Sequence, residues 1–183
     1  MEALEALQSR NSAPRLTGSV DQSVLEKIIH AGLRAPDHAL LRPWRILVVE
    51  GEARGRLGEL FARAKLALEP DQPAAALEKI KKKPFRAPLI LVVVARLVSH
   101  PKVPEIEQLL SAGAVAQNMM LAAHACGLGA MWRTGSMAYD QVVHRGLGLA
   151  ENEKIVGFVY VGEIDGKLKR LPEMDLRDFV TRW

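Results

Sequence analysis

The segment from Glu105 to Cys126 constrains the fold more than any other part of the chain, because its pattern is helical and it is apolar on nearly every side. A helix of this kind must be buried over most of its surface. In a chain of 183 residues, it therefore lies either at the centre of the domain or in an interface between two copies. Small residues from Ser111 to Ala114 allow a second helix to approach closely. The large apolar side chains of the segment are Leu109, Leu110, Val115, Met119, Met120 and Leu121.

Runs of β-branched and aliphatic residues predict the strands around this helix. Leu89 to Ala95 is apolar throughout, which is typical of a central strand buried on both faces. Ile46 to Val49 and Ile155 to Val161 predict two further strands. Apolar residues at helical spacing predict helices over Ala53 to Leu68 and Asp140 to Leu147. No segment resembles a linker, so we expect a single domain over residues 1–183.

The two ends of the chain and the second helix carry more specific expectations. We expect a first helix with Leu4 and Leu7 turned inward. The second helix is expected to be capped by Asp21, or by Ser23 in a capping box with Glu26. The polar tail from Asp165 is expected to dock its apolar groups, namely Phe179, Val180 and Trp183.

Composition excludes several classes of protein. The chain is 49% hydrophobic and 25% charged, and no apolar run is long enough to span a bilayer. Its first ten residues do not resemble a signal peptide, so we expect a cytoplasmic protein. Cys126 is the single cysteine, which excludes an internal disulfide, and we expect it to be a core residue.

The net charge of +4 is modest. The basic run at Lys79 and Lys81 to Lys83 has no interleaved aromatic residues, so it predicts a solvated helix end rather than a nucleic-acid surface.

The usual catalytic signatures are absent. The five histidines have no neighbours at metal-ligand spacing, so we predict no metal site. The chain contains neither a Gly-x-Ser-x-Gly elbow nor a Walker loop. It also lacks the Gly-x-Gly-x-x-Gly fingerprint of dinucleotide-binding folds.

Three short clusters of polar residues remain as candidate binding groups. Arg10, Asn11 and Ser12 offer a guanidinium, an amide and a hydroxyl that suit a phosphate, although a plain helix cap explains them equally well. Arg34 and His38 flank Pro36, which stops the second helix; the alternative is cations placed near a helix C-terminus.

The third cluster, Trp132, Arg133 and Thr134, precedes Gly135. It combines a flat apolar wall, a charge and a hydroxyl, which suits a planar ligand. A buried tryptophan beside a solvent-facing arginine is the alternative.

Taken in order, these clusters closely resemble the nitroreductase family of flavoproteins, and most of all a short bacterial branch of it. The resemblance covers essentially the whole chain, including Phe85 to Pro88 and Lys154 to Phe158. It implies an α+β sandwich with a mixed central β-sheet flanked by helices. It also implies an intertwined homodimer with two FMN molecules at the interface.

The resemblance also implies roles for the clusters. Arg10, Asn11 and Ser12 would hold FMN from one subunit, Arg34 and His38 would reach the same FMN from the other, and the third cluster would complete the site. The positions implied for NADH or NADPH are Ala122, Ala123, His124, Ala125, Cys126 and Gly127.

Two departures from the family pattern affect these expectations. Many relatives have a basic residue two positions after the serine, where this chain has Pro14 and then Arg15, so Arg15 is the candidate cation for the flavin N1 and O2 edge. The chain is also too short for the helical insertion of larger relatives, so we expect an open substrate pocket.

The expected activity is that of an FMN-dependent NAD(P)H oxidoreductase. It would pass electrons by a ping-pong mechanism to nitroaromatic, quinone or similar small acceptors. The alternatives are other flavin chemistry on the same scaffold, such as dehalogenation, azoline oxidation or flavin breakdown, and a non-catalytic flavin-binding protein.

Overall fold

The computed structural model describes all residues from 1 to 183 and contains six α-helices and five β-strands. The helices are α1 (Ala3–Ser9), α2 (Gln22–Gly32), α3 (Ala53–Leu68), α4 (Ala74–Lys81), α5 (Glu105–Ala125) and α6 (Gln141–Gly146). The strands are β1 (Leu16–Thr17), β2 (Trp44–Glu50), β3 (Leu89–Arg96), β4 (Gly129–Arg133) and β5 (Glu153–Ile164).

The strands form one sheet organised around β5. Its order is β1-β5-β3-β2, and β4 also pairs with β5. Val161 pairs with both Leu89 of β3 and Ala130 of β4, so those two strands flank β5. All the strand pairs are antiparallel, and the single parallel contact is an isolated bridge between Ser12 and Ala130. The expected mixed sheet is therefore corrected to an antiparallel one. Relative strand direction depends on how each connection crosses the sheet, which the pattern of elements does not specify.

Helices cover both faces of the sheet and give the α+β sandwich that was expected. Along β3, side chains alternate between two cores, as the period of a strand requires. Ile90, Val92 and Val94 face α3 and α6, where Phe61 meets Phe158 edge to face at 5.4 Å. The intervening residues face α2 and α5 and pack against Ile28, Val115 and Met119. The prediction of a central strand buried on both faces is confirmed.

Helix α5 has one buried flank and one open flank. Its buried side chains include Val115 and Met119, and it packs closely on α2 because Gly32 leaves room for the Met119 side chain. Ile106 and Leu110 lie on the open flank and are 60% and 66% exposed. The helix therefore presents uncovered apolar surface near its N-terminal end.

Several expectations about the first helices and the tail are wrong. Leu4 and Leu7 are exposed, and Ala6 is the buried residue of α1, so the helix turns the face that carries Ala6 toward the core. Helix α2 begins at Gln22 with Asp21 at the N-cap position, which confirms the first alternative, although the Asp21 side chain makes no capping hydrogen bond. Ser23 lies inside the helix and cannot form the capping box. The apolar groups of the tail are exposed, so Phe179, Val180 and Trp183 do not dock on their own chain.

Candidate functional site

Strand β4 places Trp132 and Arg133 on opposite faces of the sheet. The Trp132 indole Nε1 donates a hydrogen bond to the Val156 carbonyl at 3.2 Å. The indole lies directly over Gly157, where a Cβ atom would fall 2.0 Å from it, so glycine is required for this packing. Arg133 points to the other face and stacks on the Tyr160 ring, with its guanidinium carbon 5.6 Å from the ring centre.

Arg133 lines a cavity of about 390 Å³ at the end of β4. Its guanidinium Nε is buried and has no hydrogen-bond acceptor. Burial lowers the pKa of Arg133, and repulsion from Arg86 lowers it further. Burial also raises the pKa of the Tyr160 hydroxyl. Other residues of the wall include Lys83, Trp132, Thr134, Gly135 and Met137.

The segment from Arg10 to Ser12 lies beside the beginning of β4. Ser12 forms the parallel bridge with Ala130, two residues before Trp132. The Asn11 side chain donates to the Lys169 carbonyl and accepts from the Ser12 amide. Arg10 follows α1, and its buried Nη1 also lacks an acceptor. The structure thus brings the first and third predicted clusters to the same strand.

Arg34 and His38 lie elsewhere in the chain. Arg34 lines a separate cavity of about 470 Å³ that shares no residue with the Arg133 cavity. His38 Nδ1 lies 2.7 Å from the Glu107 carboxylate on α5. The second cluster is therefore not joined to the other two within one chain.

The turn that carries His38 is strained and firmly held. Ala39, Leu40 and Arg42 have positive φ angles, between 48° and 62°. This backbone region is unfavourable for residues that have a Cβ atom. The Asp37 carboxylate accepts hydrogen bonds from the amides of Leu41 and Arg42, both at 3.0 Å. Strained loops of this kind cluster at ligand sites, and their cost has to be offset by such contacts.

The segment from Ala122 to Gly127 forms the C-terminal end of α5. Ala123 is buried, and His124 Nε2 lies 2.8 Å from the Ser9 hydroxyl. Ala125, Cys126 and Gly127 are exposed, so the expectation that Cys126 is a core residue is wrong.

Two cations of the cavity were not predicted from the sequence. The basic run was expected to be a solvated helix end, and Lys81 does form exposed ion pairs with Glu59 and Glu78. Lys83 and Arg86, however, lie on the following short 3₁₀ helix and line the cavity. Their spacing of three residues places both on the same side of the 3₁₀ helix, but nothing in the local sequence shows that this side borders a cavity.

A larger cavity of about 690 Å³ lies between α6 and the beginning of β5. Its one buried carboxylate, Glu153, is already bonded to Arg45 and to the Ala150 amide. Volume alone does not identify a ligand site, and the smaller cavity carries the unsatisfied donor. We therefore take the end of β4 as the candidate functional site.

Comparison with known proteins decides the family. The model of the Nitroreductase family matches residues 16–163. This chain belongs to the nitroreductase family.

Curated relatives support this assignment over nearly the whole nitroreductase chain. It is 42% identical over 163 residues to "Putative NAD(P)H nitroreductase YdjA" of Escherichia coli (strain K12), an alignment that covers 88% of each protein. It is 34% identical over 184 residues to "Putative NAD(P)H nitroreductase" of Haemophilus influenzae, which covers 99% of each.

Solved structures show that this nitroreductase has the fold of its family. A nitroreductase-like family protein from Bacillus cereus superposes with a TM-score of 0.83 at 21% identity, covering 100% of this chain and 96% of the other. A nitroreductase with bound FMN from Bacteroides fragilis gives 0.76 at 24% identity, covering 100% and 99%. In this nitroreductase, no helix is long and apolar enough to cross a membrane.

Proposed function

We propose that this nitroreductase is an FMN-dependent NAD(P)H oxidoreductase that reduces nitroaromatic, quinone or similar small acceptors by a ping-pong mechanism. One observation carries the proposal. Arg10 and Arg133 each keep a buried guanidinium nitrogen without an acceptor, and both belong to segments that meet at the beginning of β4. Buried polar groups are almost always bonded, so such orphaned donors indicate a missing anionic ligand.

The residues present fit FMN. A guanidinium, an amide and a hydroxyl at Arg10, Asn11 and Ser12 suit a single phosphate monoester. The guanidinium of Arg133, stacked on the Tyr160 ring, suits a planar ring, with the exposed Thr134 hydroxyl available beside it. No dinucleotide-binding loop is needed, because FMN has one terminal phosphate.

The chain's contribution to the reaction is binding and orientation. When bound, FMN supplies the ability to accept a hydride from NAD(P)H and then to reduce the acceptor. The cavity opens to solvent through Thr134, Gly135 and Ser136, which are all exposed. One open face that serves donor and acceptor in turn is what a ping-pong cycle requires. The exposed end of α5, from Ala125 to Gly127, is the proposed contact for the nicotinamide nucleotide.

We further propose that the site is shared within a homodimer. Arg34 and His38 lie outside the Arg133 cavity of their own chain, so they are available to a second subunit. The open flank of α5 next to Glu107, which pairs with His38, carries the exposed Ile106 and Leu110. Apolar surface of this kind is covered in an obligate dimer.

Anaerobic reduction of the FMN-loaded protein tests the activity. We expect NADH or NADPH to bleach the flavin absorbance, and a nitroaromatic or quinone added afterwards to restore it. Denaturation should release FMN rather than FAD or riboflavin. Flavin that neither nucleotide bleaches would show a non-catalytic flavin-binding protein. Bleaching without reoxidation by these acceptors would favour other flavin chemistry on this scaffold.

A further inference from the structure

Four cations lie along one side of the segment that joins α4 to β3. They follow one another at three- and four-residue spacing, and the backbone stays helical through this segment, so they share one side of it. Ile80 and Pro84 are buried on the opposite side. We call the cationic side the basic surface; its members are Lys79, Lys82, Lys83 and Arg86.

The charge of the basic surface is not balanced within the chain. None of its members takes part in an ion pair, whereas Lys81, which lies among them in sequence, is paired with two glutamates. Residues 79–104 contain no Asp or Glu. A solvated helix end would explain cations on α4, but Lys83 and Arg86 lie beyond its last residue and also line the Arg133 cavity. The basic surface therefore reaches the candidate functional site.

An aromatic ring is held at the edge of the basic surface. Phe85 is 53% exposed, and the guanidinium carbon of Arg54 lies 5.1 Å from its ring centre. Arg54 itself donates hydrogen bonds to the carbonyls of Gly51 and Ala87, at 3.3 and 3.0 Å. An ordered aromatic group beside charged side chains is typical of a protein–protein interface. A membrane surface would require a broader apolar face than one phenylalanine provides.

The position of the basic surface indicates what kind of protein would use it. NAD(P)H and a small acceptor have to enter the Arg133 cavity to reach the flavin ring. A partner on the basic surface would stay outside the cavity, where an electron can be transferred without contact between reacting atoms. The cavity would then remain free for the acceptor. Unbalanced cations select an acidic partner and accelerate its approach.

We propose that the basic surface docks a small acidic electron-carrier protein, which reduces the bound flavin in place of NAD(P)H. The proposal rests on the FMN site proposed above. Two reduced carriers would each lose one electron, and solvent would supply one proton, which together equal the hydride that NAD(P)H donates. Helix α4 packs on α3, on the face of the sheet opposite α5, so the proposed dimer leaves the basic surface open.

Anaerobic mixing of the FMN-loaded protein with reduced plant-type ferredoxin, an acidic iron–sulfur carrier, tests the proposal. We expect flavin reduction at a rate that falls with added salt. Lys82→Glu should slow this reduction about tenfold, because it reverses one steering charge, and should leave reduction by NADH or NADPH unchanged. Lys79→Glu should act in the same way. Lys27→Glu is the matched control, since it makes the same charge change at an exposed lysine of α2, on the other face of the sheet.

Binding of oxidised ferredoxin, measured by calorimetry, gives a readout without turnover. Phe85→Ala should weaken this binding several-fold, and Lys27→Glu should not. Flavin that NAD(P)H reduces but ferredoxin does not, or equal ferredoxin rates in Lys82→Glu and Lys27→Glu, would overturn the inference alone. Retention on anionic lipid vesicles without binding of ferredoxin would assign the surface to a membrane and also overturn it. Wild-type protein that takes up no FMN would instead overturn the proposed function and this inference with it.

Discussion

At the scale of single residues, the buried charged groups divide into those that already have partners and those that do not. The Glu153 carboxylate, 7% exposed, is bonded by Arg45 and by the Ala150 amide, with Arg96 at 3.6 Å. Arg10 and Arg133 keep buried nitrogens without acceptors. The Glu153 network links β5 to β2 and β3, whereas the unbonded nitrogens of Arg10 and Arg133 are available to a ligand.

The Glu153 network should make stability depend on pH. Burial alone would raise the pKa of Glu153, but the hydrogen bonds from Arg45 and from Ala150 outweigh it and lower the pKa. Its stabilising contribution is therefore complete above the ordinary carboxyl pKa and is lost as the pH falls from that value through the lowered one. At neutral pH, Glu153→Gln should cost about 1.5 to 3 kcal/mol in urea unfolding, the usual value of hydrogen bonds to a charged group.

The difference in unfolding free energy between wild type and Glu153→Gln should shrink as the pH falls from the ordinary carboxyl pKa through the lowered pKa of Glu153. Glu151→Gln, which changes an exposed glutamate on the same turn without a partner, should leave the unfolding free energy nearly unchanged. A Glu153→Gln penalty that stayed constant down to strongly acidic pH would contradict the assigned role of the charge.

Short-range patterns revealed only part of the site. Arg10, Ser12 and Trp132 could be selected because each lies in a compact cluster next to the end of an element. Lys83 and Arg86 could not, since a lysine run beside a helix end looks the same whether or not its last members reach a cavity. Their position follows from the packing of α3 on α4, a long-range property.

At the scale of elements, the local sequence pattern predicted where the strands and long helices lie. It did not predict how these elements are oriented relative to one another. The prediction of α3 is confirmed with the same bounds, because both ends fall at clear breaks in periodicity. The continuous apolar run also identified β3. Contacts between residues distant in sequence determine which face of α1 meets the core. They also determine the pairing of β4 with β5.

Two glycines that lie near the Trp132 indole should respond in opposite ways to alanine. A Cβ at Gly157 would fall 2.0 Å from the indole, so Gly157→Ala should displace the ring and destabilise the fold by about 1 to 3 kcal/mol. A Cβ at Gly113, in α5, would lie 3.9 Å from the ring, an ordinary contact. Gly113→Ala should therefore stabilise the helix by about 0.5 to 1 kcal/mol.

Chemical denaturation measures the stability of both variants. The fluorescence spectrum, to which Trp44, Trp132 and Trp183 all contribute, should change in Gly157→Ala but not in Gly113→Ala. Gly157→Ala should also weaken FMN uptake, because displacing Trp132 would disturb the neighbouring Arg133 on β4, which lines the proposed cavity. Equal stability of the two variants would show that the indole does not pack directly over Gly157.

At the scale of the whole molecule, the uncovered apolar groups of α5 predict a homodimer. Leu110→Glu should shift the protein toward the monomer in light scattering, because it would place an unpaired charge in the interface. Leu68→Glu is the matched control, since Leu68 on α3 is 67% exposed but lies on the other side of the sheet. A wild-type monomer that is saturated with FMN would contradict the shared site.

Subunit exchange tests whether one FMN is held by two chains. Arg10→Ala and Arg34→Ala should each weaken FMN binding by about 1.5 to 3 kcal/mol, roughly one to two decades in affinity. A mixed dimer of the two inactive variants has one site without either arginine and one intact site. Mixing should therefore restore activity at FMN concentrations between the two affinities. No recovery, with exchange verified by mass, would place both arginines at the same subunit's site.

The shared use of β5 by β1, β3 and β4 has a consequence for how such chains can change over evolution. Removing one residue from the middle of β5 would move every later side chain to the opposite face. Tyr160 would leave Arg133, and the pairing of both flanking strands would be disturbed at once. Insertions and deletions should therefore be tolerated in the loops and excluded from residues 153–164, even among relatives with little remaining identity.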